Sequence, residues 1–389
     1  MANVPLTYNL RSLWVRKSST LLTVISIGAT VAVLAGVLAL QKGFESLFIG
    51  VGSDDHAVFL RPGATTEGDS EFAPSRARTL MKSLPEIAID EDGQPLASAE
   101  SYLAVRRLKL SGGETNVPIR GVQPASFKIH GESLRLIDGR NFEPGTDEVI
   151  VGEKLTRRIQ DCELGATIQL NTTPFKVVGV FENDGPFASE IWCDVDRMSQ
   201  ALERPNYSRV LAVLNAGVDI EELSERLKSH KEVPAKAMTE RDFLEGQTSM
   251  LSGALGGLGF FLAVIMGIAA VFTATNTMQA ALSARGPEIG ILLSLGFRPF
   301  PIFLSFMVEA LVLGLVGGAF GILFALPLDG IETGTANMIT FSEVAFAFSL
   351  TPAVLIDAVT FAVILGLLGG ALPAWRASRM EVIDALRRA

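Results

Sequence analysis

The chain is poor in the residues that catalytic chemistry usually needs. Its 389 residues include two cysteines, Cys162 and Cys193, and three histidines, His56, His130 and His230. The histidines are scattered. None forms an H-E-x-x-H pair, and no Cys/His spacing suggests zinc, so no metal site is predicted. Asp54, Asp55 and His56 lie together but read as solvated loop charges. There is no G-x-x-x-x-G-K-[ST] phosphate loop, so ATP is not bound by that device, and no G-x-S-x-G nucleophile turn. These absences argue against an enzyme. They also predict that no cofactor is held directly.

Charge is missing from four long stretches. Ser18–Leu40 and Gln247–Ala284 have none, Pro299–Leu328 has only Glu309, and Thr351–Trp375 has only Asp357. Each supplies the roughly 20 apolar residues that a helix needs to cross a ~30 Å hydrocarbon layer. Hydrophobic residues make up 48% of the chain, and the mean hydropathy is +0.36. The pattern predicts transmembrane helices at 19–41, 248–284, 302–327 and 353–374. The first has a long apolar core and no A-x-A site after Leu40, so an uncleaved helix is expected rather than a signal peptide.

Orientation follows from the basic residues. Residues 42–247 hold 24 Lys and Arg against 34 Asp and Glu. A domain that long does not count in the positive-inside rule. The other nine basic residues fall in three short segments: Arg11, Arg16 and Lys17; Arg285 and Arg298; and Arg376, Arg379, Arg387 and Arg388. Four spans put all three on one side, the cytoplasm. The loop 328–352 has Asp329, Glu332 and Glu343 but no base, and belongs outside with the large domain. The acidic total argues against nucleic acid as a partner, while the basic inner face suits an anionic lipid bilayer.

Residues 1–18 read as an amphipathic helix on the inner leaflet, with Leu6, Leu10, Leu13 and Trp14 at helical spacing. The outer domain, 42–247, reads as α+β. Strand–helix–strand patterns occupy 52–110 and 196–247, with Asp219 as the N-cap of the second helix. A turn-rich, β-rich insert occupies 111–195. An oxidising compartment permits a Cys162–Cys193 disulfide; two buried thiols are the alternative. The lead-in 239–253 continues the helical pattern of the second span and predicts a rigid extension beyond the bilayer.

Inside the membrane, small residues recur four apart: Gly28, Ala32 and Gly36 in helix one, Gly314/Gly318 and Gly317/Gly321 in helix three, and Gly366/Gly370 in helix four. Such faces let helices approach closely, within one chain or across a dimer. Glu309 is costly in hydrocarbon and is expected to face the bundle and pair with a basic or polar group. It and Asn276 are candidates for a gating or structural role. Between helices two and three, "PEIGILLSLGF" predicts a short cytoplasmic helix in the loop 285–301, opened by Pro287 and closed by Gly296. Ile289, Leu292 and Leu293 are expected to offer its apolar face to a partner or to the membrane.

The stretch Asn276–Met278, Arg285, Glu288–Leu292, Leu295–Gly296, Glu309 and Gly314–Gly321 resembles the hallmark region of MacB/FtsX/LolC-E-type ABC transporter permeases. The tail "LPAWRASRMEVIDALRRA" and the segment "EVIVGEKLTRRIQDCELGATIQLNTTPFKVVGVF" resemble that family too. The basic cluster before Glu288 is thinner than the family's, and the chain shows no fused nucleotide-binding domain. The resemblance implies a mechanotransmitting permease of the bacterial inner membrane, with four helices and a porter-like outer domain carrying an insert. It implies that Arg285, Glu288, Ile289, Gly290, Leu292 and Leu293 couple to a separate ATP-binding subunit, which holds ATP and Mg. A second permease copy, in a homo- or heterodimer, and a periplasmic membrane-fusion adaptor are the other implied partners. The alternatives are an FtsX-like regulator of a cell-wall hydrolase and a non-transporting receptor.

Overall fold

The computed structural model describes residues 17–49, 51–296, 298–336 and 343–380. Most of the expected N-terminal amphipathic helix and the last nine residues of the tail lie outside the described residues. The chain divides into a helical unit, 1–43, 253–331 and 347–389, and an outer unit, 44–252 and 332–346.

Among the described residues, four helices are long and apolar enough to cross a membrane. They are α1 (Lys17–Glu45), α7 (Glu240–Ala284), α9 (Pro299–Ala325) and α10 (Pro352–Ser378). Each expected span lies inside one of them, save that the third, 302–327, runs two residues past α9 into the turn Leu326–Leu328. α7 is longer than a membrane requires: its 45 residues extend about 68 Å at the helical rise. It therefore begins before the apolar run, as the lead-in pattern predicted. Thr351 caps α10 by accepting from the backbone N–H of Val354.

The helical unit is closely packed along two glycine seams of α9. Gly314 and Gly318 face α10: a Cβ at Gly314 would lie 2.7 Å from the Ala362 carbonyl oxygen, and one at Gly318 would lie 2.7 Å from the Ala362 Cβ. Gly366 and Gly370 complete this seam from α10, both against Ala310. Gly317 and Gly321 face α1, where Gly321 would meet the Gly28 carbonyl oxygen at 2.6 Å and Gly317 the Ile27 side chain at 2.8 Å. Gly36 faces Leu328. The small residues thus serve packing within the chain.

The outer unit is built on one ten-stranded sheet with order β10-β1-β9-β2-β3-β8-β5-β7-β4, β6 pairing with β7. β1 (His56–Leu60), α2 (Pro74–Ser83) and β2 (Ala97–Leu108) form one half; β9 (Arg209–Val213), α6 (Ile220–Lys228) and β10 (Lys236–Thr239) form the other. β9 inserts between β1 and β2, and β1 between β9 and β10, all antiparallel. This is the split βαβ arrangement of ferredoxin-like folds. Its helices cover a core that includes Phe59, Leu80, Val210, Leu223 and Leu227. Asp219 caps α6 by accepting from the N–H groups of Glu221 and Glu222.

The insert contains β3 (Glu114–Val122), α3 (Pro124–His130), β4 (Arg135–Gly139), β5 (Glu148–Gly152), α4 (Glu153–Thr156), β6 (Thr167–Leu170), β7 (Thr173–Glu182), β8 (Ile191–Asp194) and α5 (Val195–Ala201). β2 joins the modules: Ala97–Glu100 pair with β9, and Ser101–Leu108 pair with β3. The hand-over at Ser101 comes earlier in the chain than the expected boundary at 111, because one long strand serves both. The insert's central strands β5 and β8 bury both faces. Val149, Val151, Ile191 and Cys193 enter one core, and Ile150 and Trp192 the other, following the two-residue period of a strand.

The structure decides between the two cysteine alternatives and corrects one expectation. Cys162 and Cys193 are free buried thiols rather than a disulfide. Cys193 sits on β8, between β3 and β5, and its thiol faces the Arg120 carbonyl oxygen at 3.8 Å. Burial pushes the Cys162 thiol up to about 12 and the Cys193 thiol upward as well. The stretch 328–352 is more than a connecting loop. It forms a hairpin, β11 (Glu332–Ala336) and β12 (Glu343–Ala347), and residues 332–346 belong to the outer unit.

Candidate functional site

The short helix α8 (Gly286–Ser294) follows α7 directly. Pro287 stands in its first turn, where a missing N–H costs nothing. Gly296 follows its end at φ +86°, the left-handed conformation that lets the chain leave a helix.

The two faces of α8 differ. Gly286, Ile289 and Gly290 are buried, and Leu293 packs against the same apolar cluster as Ile289. Glu288 is exposed, with Ile291 (52% exposed) and Leu295 (71%) beyond it. The spacing of each set matches one helix face. Ile289 and Leu293 therefore do not offer an outward surface as expected. They hold α8 to the bundle, and Ile291 and Leu295 provide the outward apolar residues. The Leu292 side chain lies outside the described residues.

Arg285, at the junction of α7 and α8, is buried. Its Nη1 donates to Glu309 Oε2 on α9 at 3.0 Å. The guanidinium carbon is 6.0 Å from the Phe306 ring centroid. Around the pair, Met278, Leu282, Ile289, Ile302, Phe306 and Ala310 form an apolar cluster. Low polarity strengthens the attraction, and it also makes each charge dependent on the other. Arg285 is thus an internal strut, not a surface contact for a partner. The basic partner expected for Glu309 is this arginine.

Three threonines make two polar ties within the helical unit. Thr23 on α1 donates to Thr277 on α7 at 2.8 Å, and Thr275 donates to the Gly369 carbonyl of α10 at 3.1 Å. Asn276, between them, is exposed. The structure brings Arg285 and not Asn276 to Glu309.

A second charged group lies in the outer unit and escaped the sequence reading. Arg120 Nε and Nη2 donate to Glu190 at 2.7 and 3.0 Å, and its Nη1 and Nη2 donate to Glu67 at 2.5 and 3.0 Å. Arg209 lies 2.9 Å from Glu67 and 2.7 Å from Glu100. All five residues are buried. Burial alone would push the Glu67 and Glu100 carboxyls up, but the two guanidinium groups outweigh it and hold both below the usual range. Arg120 donates to both of its carboxylates, and Arg209 donates to Glu100 through Nε at 2.8 Å, while Arg209 Nη1 and Nη2 make no hydrogen bond among the described residues; the cluster joins the ferredoxin-like half to the insert. One signal was readable: in "VPIRGV", Arg120 shares a strand face with Val122. Its partners, spread from Glu67 to Arg209, were not.

The chain matches two family models. The MacB-like periplasmic core domain matches residues 20–230, and the FtsX-like permease C-terminal matches residues 259–382. The chain belongs to the MacB/FtsX-type ABC permeases. Its outer unit is accordingly a periplasmic core domain and its helical unit an FtsX-type membrane domain. Among similar proteins, the macrolide export ATP-binding/permease protein MacB of Agrobacterium fabrum is 24% identical over 97% of this chain and 59% of its own length. The pyoverdine export ATP-binding/permease protein PvdT of Pseudomonas fluorescens is 26% identical over 97% of this chain and 58% of its own. The chain therefore spans a little under three fifths of these relatives. Among solved structures, the periplasmic region of MacB from Actinobacillus actinomycetemcomitans aligns at 16% identity, with a TM-score of 0.37, over 50% of this chain and 91% of that one.

Proposed function

We propose that this permease works in the bacterial inner membrane, where a separate ATP-binding subunit seats on α8 and drives it. Movement passes to the periplasmic domain and exports or extracts a periplasmic substrate. The observation that carries this reading is the two-sided construction of α8. Its inner face and the Arg285–Glu309 pair lock it to the bundle, and its outer face presents Glu288, Ile291 and Leu295. A lever needs both a firm attachment and an exposed surface. In this reading ATP and Mg are bound by the partner. A second permease copy completes the assembly, and a membrane-fusion adaptor is a further candidate partner on the periplasmic side.

The test is affinity purification of the tagged chain from its native membrane, followed by mass spectrometry. A co-purifying ATP-binding subunit is expected. It should be lost on Ile291→Asp with Leu295→Asp, and uncoupled by Glu288→Lys, with membrane insertion intact in both. Recovery of a cell-wall hydrolase or a signalling protein without any ATP-binding subunit would replace this reading with the regulator or the receptor.

A further inference from the structure

The β11–β12 hairpin lies between α9 and α10 in the chain, yet it packs as part of the outer unit. Val344, Ala345 and Phe346 are buried, and Phe346 meets Phe44 edge-on with ring centroids 5.4 Å apart. The Ala345 N–H donates to Ser189 Oγ at 3.3 Å. The main charged anchor is Glu343. Lys109 Nζ lies 2.5 Å from its Oε2, Thr115 Oγ1 donates to the same oxygen at 2.5 Å, and the Arg158 guanidinium pairs with Oε1. Arg158 also donates to the Thr333 carbonyl of β11 at 3.0 Å, so one side chain holds both strands of the hairpin.

The polar anchors share one location, while Phe346 packs on Phe44 of α1. Thr115, Arg158 and Ser189 belong to the insert, and Lys109 directly follows β2, the strand that leads into it. None lies in the ferredoxin-like half. The hairpin's ends run directly into α9 and α10, and α9 carries the Glu309 that holds α8. The ferredoxin-like half, in contrast, connects along the chain to α1 and α7. We propose that Glu343 is a positioning residue through which α9 and α10 act on the insert directly, in parallel with the route through α1, α7 and the ferredoxin-like half. This rests on the reading of α8 as the driven element.

Burial alone would push the Glu343 carboxyl up. The Lys109 and Thr115 hydrogen bonds and the Arg158 charge outweigh it, and the group is held below the usual carboxylate range. The clasp therefore stays ionised at neutral pH.

The test uses the full chain with its co-purified ATP-binding subunit in nanodiscs, spin-labelled at exposed positions 89 in the ferredoxin-like half and 164 in the insert. ATP with vanadate is expected to shift the inter-label distance in the parent protein. Glu343→Gln should abolish that shift while ATP hydrolysis continues, and the charge swap Glu343→Arg with Arg158→Glu should restore it. A Glu343→Gln protein that shifts like the parent overturns the clasp but leaves the driven α8 standing. A parent protein that hydrolyses ATP without any shift overturns both, since nothing is then transmitted.

Discussion

The two units solve the packing problem in opposite ways. The outer unit buries large side chains, with Phe59 and Leu80 in one core and Phe175 and Trp192 in the insert's two cores. The helical unit instead removes side chains at its seams, and Gly314, Gly317, Gly318, Gly321, Gly366 and Gly370 bring backbones together. The solvent explains the difference. In water, apolar burial drives association. In lipid the surroundings are already apolar, so close backbone approach and buried polar contacts must do it. Charge follows the same division. The outer unit spreads one buried ionic cluster over five residues with redundant contacts, whereas α9 meets the junction of α7 and α8 through the Arg285–Glu309 pair.

The comparison can be broken most severely at that pair. Arg285→Met leaves the Glu309 carboxylate buried beside an apolar side chain, and should cost about 3–5 kcal/mol. Replacing both, Arg285→Met with Glu309→Leu, should restore most of the stability in detergent unfolding. It should not restore coupling to ATP hydrolysis.

Acid should separate the units next. His130 is buried among Phe187 and Trp192. Burial lowers its pKa from 6.5 to about 4, against the raising effect of Glu240 and Glu100. Between these values the unfolded chain takes up a proton that the folded one refuses. This contribution is complete above pH 6.5, falls as pH drops through the window, and levels off near pH 4. The loss amounts to about 3 kcal/mol. Hydrogen exchange of β8 in the full chain should show the slope, α9 should not, and His130→Phe should flatten it.

The glycine seam comes third. Gly366→Leu would place a side chain against the Ala310 carbonyl and the Gly314 backbone. It should cost about 1–3 kcal/mol or more through overpacking, measured by thermal unfolding in detergent. The smallest effect belongs to a local feature of the outer unit. Asp219→Ala removes the N-cap of α6, which should cost about 1 kcal/mol and leave the seams untouched in the same assay.

How legible these features were depended on how local their causes were. Charge-free runs marked the spans because lipid forbids charge. Asp219, Pro287 and Gly296 marked helix ends because caps are set by neighbouring residues. The orientation of α8 was not readable: "GPEIGILLS" is apolar on both faces, so periodicity could not assign Ile289 inward and Ile291 outward. The five-residue ionic cluster and the Glu343 clasp join residues more than a hundred positions apart, and only the folded sheet brings them together. The cysteines stayed open between bridge and thiols for a related reason: Cys193 lies on β8 and Cys162 in the loop before β6, and only the fold sets which way each thiol points.

The most direct test of the central claim is site-specific photocrosslinking along α8 in native membranes. A crosslinker at position 288, 291 or 295 is predicted to capture an ATP-binding subunit, and one at 289 to capture only this chain. Capture from 289, or none from the three outward positions, would contradict the account of α8 as a lever fixed on one face and driven on the other.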